Sequence, residues 1–547
     1  MTAPLDTAEL RKARGAFFTP AELCRHMAGW AIRTPEDAVL EPSCGEAAFL
    51  VAAAERMSSL GPGPGLLHGV DVHPASAREA RRILAGTGHQ TRITVADFFT
   101  LRPTPTFDAV IGNPPFVRYQ DFTGEARARS REAALRAGVN LTKLASSWAA
   151  FTVHSALFLK PGGRLALVLP AELLSVNYAA EVRQFLMRRF GRVRLVLFTE
   201  RIFPGVLEEV VLLLAEGHGG TDRCELQQVR GVAELLGPTG GVVSTWQPGT
   251  DDGKWTSALL PGPARDVVAE VMSRPAATTL HTWGETTLGA VTGNNRYFTR
   301  SPEQVRAAGL QPRDLVRLSP PGSRHLRGLG LTTGRWTELG EEGRSTWLFR
   351  PAGEPSPAGL EYIAAGERIG VPEAYKCRVR TPWWRVPLVP PADLLLTYMN
   401  ADTPRISTNR ARVHHLNSVH GVYLRPGLRR LGAELLPLAG LNSLTLLGAE
   451  TVGRAYGGGM LKLEPREADR LPVPSPEVVE SLRPQLLSVR RRAAAALAEG
   501  RLLEAVSLVD GVLLAAGLGL TAADATVIRQ ARELLAGRRT ARGAAPK

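Results

Sequence analysis

From Ala38 onward, short apolar runs alternate with longer stretches in which apolar residues recur at helical spacing. The runs Ala38–Leu40, Leu67–Asp71, Ile93–Asp97, Asp108–Ile111, Arg164–Leu169, Val193–Phe198 and Val210–Leu214 read as strands. Helices are expected from Ala48, over Arg78–Ala85, over Ser147–Leu159 and over Tyr178–Phe190, with a turn at Pro161-Gly162-Gly163. Strands alternating with helices predict an α/β fold: a doubly wound, mostly parallel sheet of Rossmann-like type.

From Gly217 to Thr250 the pattern weakens, and Gly237-Pro238-Thr239-Gly240-Gly241 suggests a boundary. The expected organisation is a nucleotide-binding type domain over 1–245, a mixed α+β domain over 255–475 rich in Arg, Pro and Trp, and a helical C-terminal tail over 477–547. Its end, Gly537–Lys547, is expected to fray. No fixed-period repeat is visible.

Composition narrows the partners. The chain of 547 residues has a formal net charge of +14, most of its cations being arginine. Guanidinium forks match phosphate oxygens, so a polyanion partner, above all nucleic acid, is favoured. The four cysteines, Cys24, Cys44, Cys224 and Cys377, are far apart without a CxxC pair. That disfavours a disulfide framework or a zinc site and fits a reducing, cytoplasmic setting. No apolar run is long enough for a bilayer, so no membrane role is expected, and Met1–Arg14 lacks a signal-peptide core.

The most informative residues are Asn113-Pro114-Pro115-Phe116, which follow the strand ending near Gly112. Two prolines forbid helix and fix the backbone just past the strand. An amide, a rigid carbonyl and an aromatic face there form a clamp for a planar group bearing an NH2. Glu41-Pro42-Ser43-Cys44-Gly45 follows the first strand as a glycine turn that admits a ligand. It is not a phosphate loop, because no Lys-Ser/Thr follows the glycine. Asp71 ends the second strand, where a carboxylate can accept both hydroxyls of a ribose. Asp97-Phe98 ends the third, where an acceptor and a ring suit an adenine. Cys44 reads as a small residue in a tight turn rather than a nucleophile.

In combination, Gly15-Ala16-Phe17-Phe18-Thr19-Pro20, Glu41-Pro42-Ser43-Cys44-Gly45 and Asn113-Pro114-Pro115-Phe116 resemble the gamma class of amino-group DNA methyltransferases, which methylate adenine N6 using S-adenosyl-L-methionine. The resemblance covers roughly residues 11–215. It extends more loosely to Val291-Thr292-Gly293-Asn294-Asn295, Pro382-Trp383-Trp384 and Ala455-Tyr456-Gly457-Gly458-Gly459-Met460-Leu461, which are similar to target-recognition regions. It implies a class I methyltransferase domain followed by a DNA target-recognition domain. Phe17, Thr19 and Pro20 would sit against the methionine end of the cofactor, Glu41 and Gly45 would line its turn, Asp71 would hold the ribose, and Asp97 with Phe98 the adenine. Asn113 and Pro114 would accept from the target amino group, Phe116 would stack on the base, and Phe203 would be a second stacking ring. The family often has a second glycine where this chain has Ala47, which puts cofactor affinity in question.

The resemblance implies methylation of a flipped adenine in double-stranded DNA, without a covalent enzyme intermediate or a metal. Arg405, Arg410 and Arg412 around Asn409 are expected to touch phosphates or bases. His414-His415 with His420 lack a completing carboxylate or cysteine and read as a basic loop near DNA. Cytosine-N4 methylation is chemically close, but Asn rather than Ser at the first clamp position leans towards adenine. Protein-glutamine and guanine-N2 RNA methylases carry similar quartets, yet a large basic C-terminal region fits DNA better. A third reading is an inactive DNA-binding subunit of a defence complex. Too little chain precedes Gly15 for a fused nuclease, so a separate cognate restriction endonuclease is expected.

Overall fold

A computed structural model describes residues 19–200, 202–203, 209–238, 240–249 and 254–543. The chain divides into two compact units, the first reaching Leu259 and the second beginning at Leu260.

The first unit is built on a nine-stranded sheet. Its strands are β1 (Ala38–Glu41), β2 (Leu66–Asp71), β3 (Gln90–Val95), β4 (Phe107–Gly112), β5 (Leu159–Pro170), β6 (Arg192–Phe198), β7 (Val210–Glu216), β8 (Cys224–Val229) and β9 (Val242–Trp246), in the spatial order 3-2-1-4-5-7-6-8-9. β1 to β5 are parallel to one another. β7 runs antiparallel between β5 and β6, with Leu167 opposite Leu213 and Leu195 opposite Leu213. This is the doubly wound, mostly parallel arrangement that the sequence predicts, with β8 and β9 added at one edge. The weakly patterned stretch after Gly217 supplies β8 and β9 at the sheet edge, and the break between the units follows it at Leu259/Leu260. The expected turn at Pro161–Gly163 is a bulge in β5, since the register with β4 jumps from Leu159 to Arg164.

Both faces of the sheet are covered, and the period-two alternation shows it. Leu165, Leu167 and Leu169 of β5 enter one core with α4 (Gly124–Leu135), α5 (Ser147–Ala156) and α6 (Ala180–Arg189). Ala166 and Val168 enter the other, with α1 (Ala21–Ala31), α2 (Ala48–Leu60) and α3 (Pro74–Leu84). Each fully buried large side chain contributes about 1.5–3 kcal/mol, so the strand ends that carry the polar motifs sit on a rigid base.

The second unit holds a five-stranded mixed sheet, in spatial order Gly284–Leu288, Val419–Leu424, Leu394–Thr397, Ile406–Asn409 and Gly330–Leu331, with helices. The segment expected as a separate tail is helical over Pro476–Ser481, Arg483–Ala498, Leu502–Leu513 and Ala522–Gly543 and clusters with this unit. Leu486, Ala493, Val509 and Leu513 share a core with Leu394, Leu435 and Leu436. Its helix continues to Gly543, well into the stretch expected to fray.

Candidate active site

Strand order reverses between β1 and β4: one side runs through β2 to β3, the other through β5. Loops leaving these two strands diverge, and the crevice at their C-terminal ends is where open α/β sheets take ligands. Glu41 closes β1, Asp71 closes β2, Asp97 follows β3 and Asn113 follows β4. The topology thus sets the expected polar groups on four neighbouring strand ends.

Glu41 is buried, and desolvation holds its carboxyl well above the usual range, with Asp71 adding to the rise. Among the described residues its Oε2 meets no hydrogen-bond partner. It lies close to the end of β4: a Cβ at Gly112 would stand 3.5 Å from Glu41 Cγ. Asp71, also buried, orders the glycine turn. Its Oδ2 accepts from Gly45 N at 2.8 Å and its Oδ1 from His73 N at 2.8 Å. Gly45 has φ +48° with open space where a Cβ would be, so the turn conformation alone asks for glycine. Cys44 is buried beneath the turn, and burial pushes its thiol up, which suits packing rather than nucleophilic attack.

Ala47 adopts φ +66°, the left-handed region, and its methyl is fully buried in the α1–α3 core. The missing glycine therefore shows itself as backbone strain of about 1–2 kcal/mol.

Asp97 caps the turn after β3, accepting from Phe99 N at 3.1 Å, and pairs with Arg129 Nε at 3.1 Å. Phe98 departs from expectation. Its ring is 3% exposed, stacked on Phe151 and Phe158 in the core, and cannot offer a face to a base. Val72, missed in the sequence, is 58% exposed directly after Asp71 and supplies an apolar surface at the same edge. Its signal was its place: the residue after a strand-ending carboxylate.

The Asn113 amide is oriented from the opposite side of the crevice. Its Nδ2 donates to Thr19 Oγ1 at 3.2 Å, which sets the carbonyl oxygen on the other side of the amide. Thr19 thus positions the amide. Pro20 caps α1, its carbonyl accepting from Leu23 N and Cys24 N. The proline loop is tied down by Ser147, the first residue of α5. The Ser147 hydroxyl donates to Pro115 O and accepts from Val117 N at 2.9 Å, and Ser147 N donates to Val117 O at 3.0 Å. Nothing in the sequence links residue 147 to 115, so Ser147 was missed. Phe116 is half-buried against both cores. Phe203 is 4% exposed within the α1–α3 core, which leaves no free face for stacking. Phe17 lies outside the described residues.

In the second unit two expected DNA contacts turn inward. Arg405 is buried, pairing with Asp402 at 2.8 Å and donating to Thr403 O. Asn409 is buried, donating to Ala392 O and Val413 O and accepting from Val413 N. Both are scaffold. Arg410 and Arg412 are exposed. The histidines do not form a basic loop: His415 and His420 are buried, and burial holds both rings towards the neutral form.

Two family models match the chain, N-6 DNA Methylase over residues 6–221 and the C-terminal domain of type II methyltransferase M.Eco57I over residues 252–514. The chain belongs to the N6-adenine DNA methyltransferases of restriction–modification systems. The methyltransferase is 26% identical to type II methyltransferase M.XamI of Xanthomonas campestris pv. amaranthicola, over 85% of each chain. It is 21% identical to M.AccI of Acinetobacter calcoaceticus, over 84% of this chain and 85% of that one. The type IIL restriction–modification enzyme MmeI, solved with DNA, shares the fold at a TM-score of 0.54 and 12% identity, covering 97% of the methyltransferase and 76% of MmeI. Among the described residues no single helix is long and apolar enough to cross a membrane.

Proposed function

We propose that the methyltransferase, a gamma-class enzyme, takes S-adenosylmethionine in the crevice between β1 and β4 and methylates an adenine turned out of a DNA duplex. The observation that carries this is the fixed clamp: Asn113 oriented by Thr19, with the Pro115–Val117 backbone tied to α5 by Ser147.

The residues present fit the cofactor. Glu41 is a buried carboxyl whose Oε2 lacks a partner among the described residues, and the ammonium of an amino acid would supply one. Asp71 keeps a second lone pair on each oxygen for ribose hydroxyls, and Val72 offers an apolar face to the adenine. Asp97 can accept from the adenine amino group beside its Arg129 pair. When bound, S-adenosylmethionine supplies a methyl group on a cationic sulfur.

The chain's own work is on the target nitrogen. An exocyclic amine is a poor nucleophile because its lone pair is delocalised into the ring. Asn113 Oδ1 and Pro114 O accept its two N–H bonds and favour the pyramidal nitrogen of the transition state. Phe116 packs on the extruded base, whose target atom is out of reach within a duplex. Arg410 and Arg412 meet the DNA backbone. The names of the relatives as type II methyltransferases support a role as protective partner of a separate endonuclease, acting in the cytoplasm with the DNA.

The test is methyl transfer from labelled S-adenosylmethionine to mixed genomic DNA, followed by digestion to nucleosides. N6-methyladenine is the expected product. Label on cytosine, or no transfer by protein that binds the cofactor, overturns the reading.

A further inference from the structure

Val291-Thr292-Gly293-Asn294-Asn295 is used as a bed for another segment. Arg380 donates from Nη1 to Thr292 O at 2.7 Å and from Nη2 to Val291 O, and Cys377 Sγ donates to Thr292 O at 3.6 Å. Gly293 has φ +88°, and a Cβ there would stand 2.9 Å from Lys376 Cβ and 3.2 Å from Cys377 Sγ. Only glycine allows the short helix Tyr375–Arg378 to seat this closely.

Seating Cys377 inward turns the other face out. Tyr375 and Val379, one helical turn apart, are 65% and 62% exposed, and Ile369, just past the helix Pro357–Arg368, is 74% exposed. Three large apolar side chains thus stand in water within eleven residues, a grouping that suits an interaction surface. The surrounding charge selects the partner. Residues 368–385 carry the cations Arg368, Lys376, Arg378, Arg380 and Arg385 against the single carboxylate Glu373. Arg380 is occupied by the bed, whereas Arg368, Lys376 and Arg378 are exposed. Ile369 also borders an open cleft of about 640 Å³ lined by Asn294, Arg296, Arg300 and Gln304. An apolar ridge rimmed by cations fits a polyanion whose groove admits apolar side chains.

We infer that this ridge is a wedge for double-stranded DNA: Ile369, Tyr375 and Val379 enter a groove and press on base steps, while Arg368, Lys376 and Arg378 take phosphates. The inference rests on the DNA-methylation reading above and assigns it a contact surface.

Two variants of the full chain test it, with melting temperature as the folding control. Y375S/V379S should raise KM for sheared genomic DNA about tenfold, the scale of one base-step contact, with KM for S-adenosylmethionine unchanged. K376Q/R378Q, a purely surface change, should flatten the dependence of log affinity on log salt by about 2 for a random-sequence duplex. Unchanged DNA KM and salt slope, with wild-type DNA methylation intact, overturn the wedge and leave the methylation reading standing. Absence of wild-type DNA methylation removes the reading itself. A shift from dimer to monomer in Y375S/V379S, seen by sedimentation, would assign the ridge to a second copy of this chain and overturn the inference.

Discussion

Polar motif residues meet opposite fates in the two units. On the parallel sheet of the first, Glu41, Asp71, Asp97 and Asn113 all lie at C-terminal strand ends around one crevice. In the second, Arg405, Asn409, His415 and His420 look equally functional in sequence yet are buried and hold the unit together. The difference is topological. Parallel strands joined by crossovers deliver their loops to one edge, so a polar residue just past a strand points to a site. In a mainly antiparallel sheet such as the second unit's, the same residue can fall on either face or satisfy a turn.

The comparison can be broken by substitution. Asn113→Ala should lower methyl transfer about a thousandfold, the upper range for losing one preorganised acceptor, while calorimetry finds cofactor affinity nearly unchanged. Loss of cofactor binding would count against the clamp. Arg405→Ala should do the converse. It removes a buried guanidinium that pairs with Asp402 and bonds Thr403 O, and costs about 2 kcal/mol in denaturant unfolding, with cofactor KM unaltered; a stable variant with weakened DNA binding would restore Arg405 to the interface.

Acid should act on both units alike. His154 in the first core and His415 in the second are each held down to about 4 by burial. Their contribution is full above pH 6.5, the ordinary histidine value, and is lost as pH falls towards 4, because the unfolded chain binds the extra protons. Each accounts for on the order of 2–3 kcal/mol. Replacing His154 with Phe should flatten the fall in unfolding free energy between pH 6.5 and 4; an unchanged slope would mean that the ring is already charged in the fold.

Ser147→Ala should reduce kcat about thirtyfold by loosening the Pro115–Val117 backbone, on the scale of about 2 kcal/mol for lost buried hydrogen bonds. Cofactor KM should hold, and Ser147→Thr should restore part of the rate. The smallest effect belongs to Ala47→Gly. Relief of the left-handed strain is offset by glycine's entropy, so stability should move by less than about 1 kcal/mol. Cofactor affinity should stay put, because the methyl points into the core; a tighter complex would show that it crowds the site.

Much of the first unit was legible because its strands are short apolar runs bounded by turns. The strand at Val210–Leu214 was legible, but its antiparallel direction was not, since Val210-Val211-Leu212-Leu213-Leu214-Ala215 reads the same in either direction. β8 and β9 were lost among glycines. Within the site, carboxylates and the amide were readable from their strand ends, whereas aromatics were not. Phe98 and Phe203 could serve a ligand or a core, and packing density decided for the core. Ser147 was invisible because its partners are distant in sequence.

The placement of β7 also bears on synthesis. β5 and β6 are neighbours in sequence but not in space, because β7 must slip between them with Leu212 and Leu213 paired on both sides. A chain emerging from the ribosome to Phe198 therefore exposes two apolar edges awaiting the same strand. Until Glu216 is out, those edges are open to strangers. The order in which this protein is made thus sets a brief window of vulnerability, closed by a single hairpin.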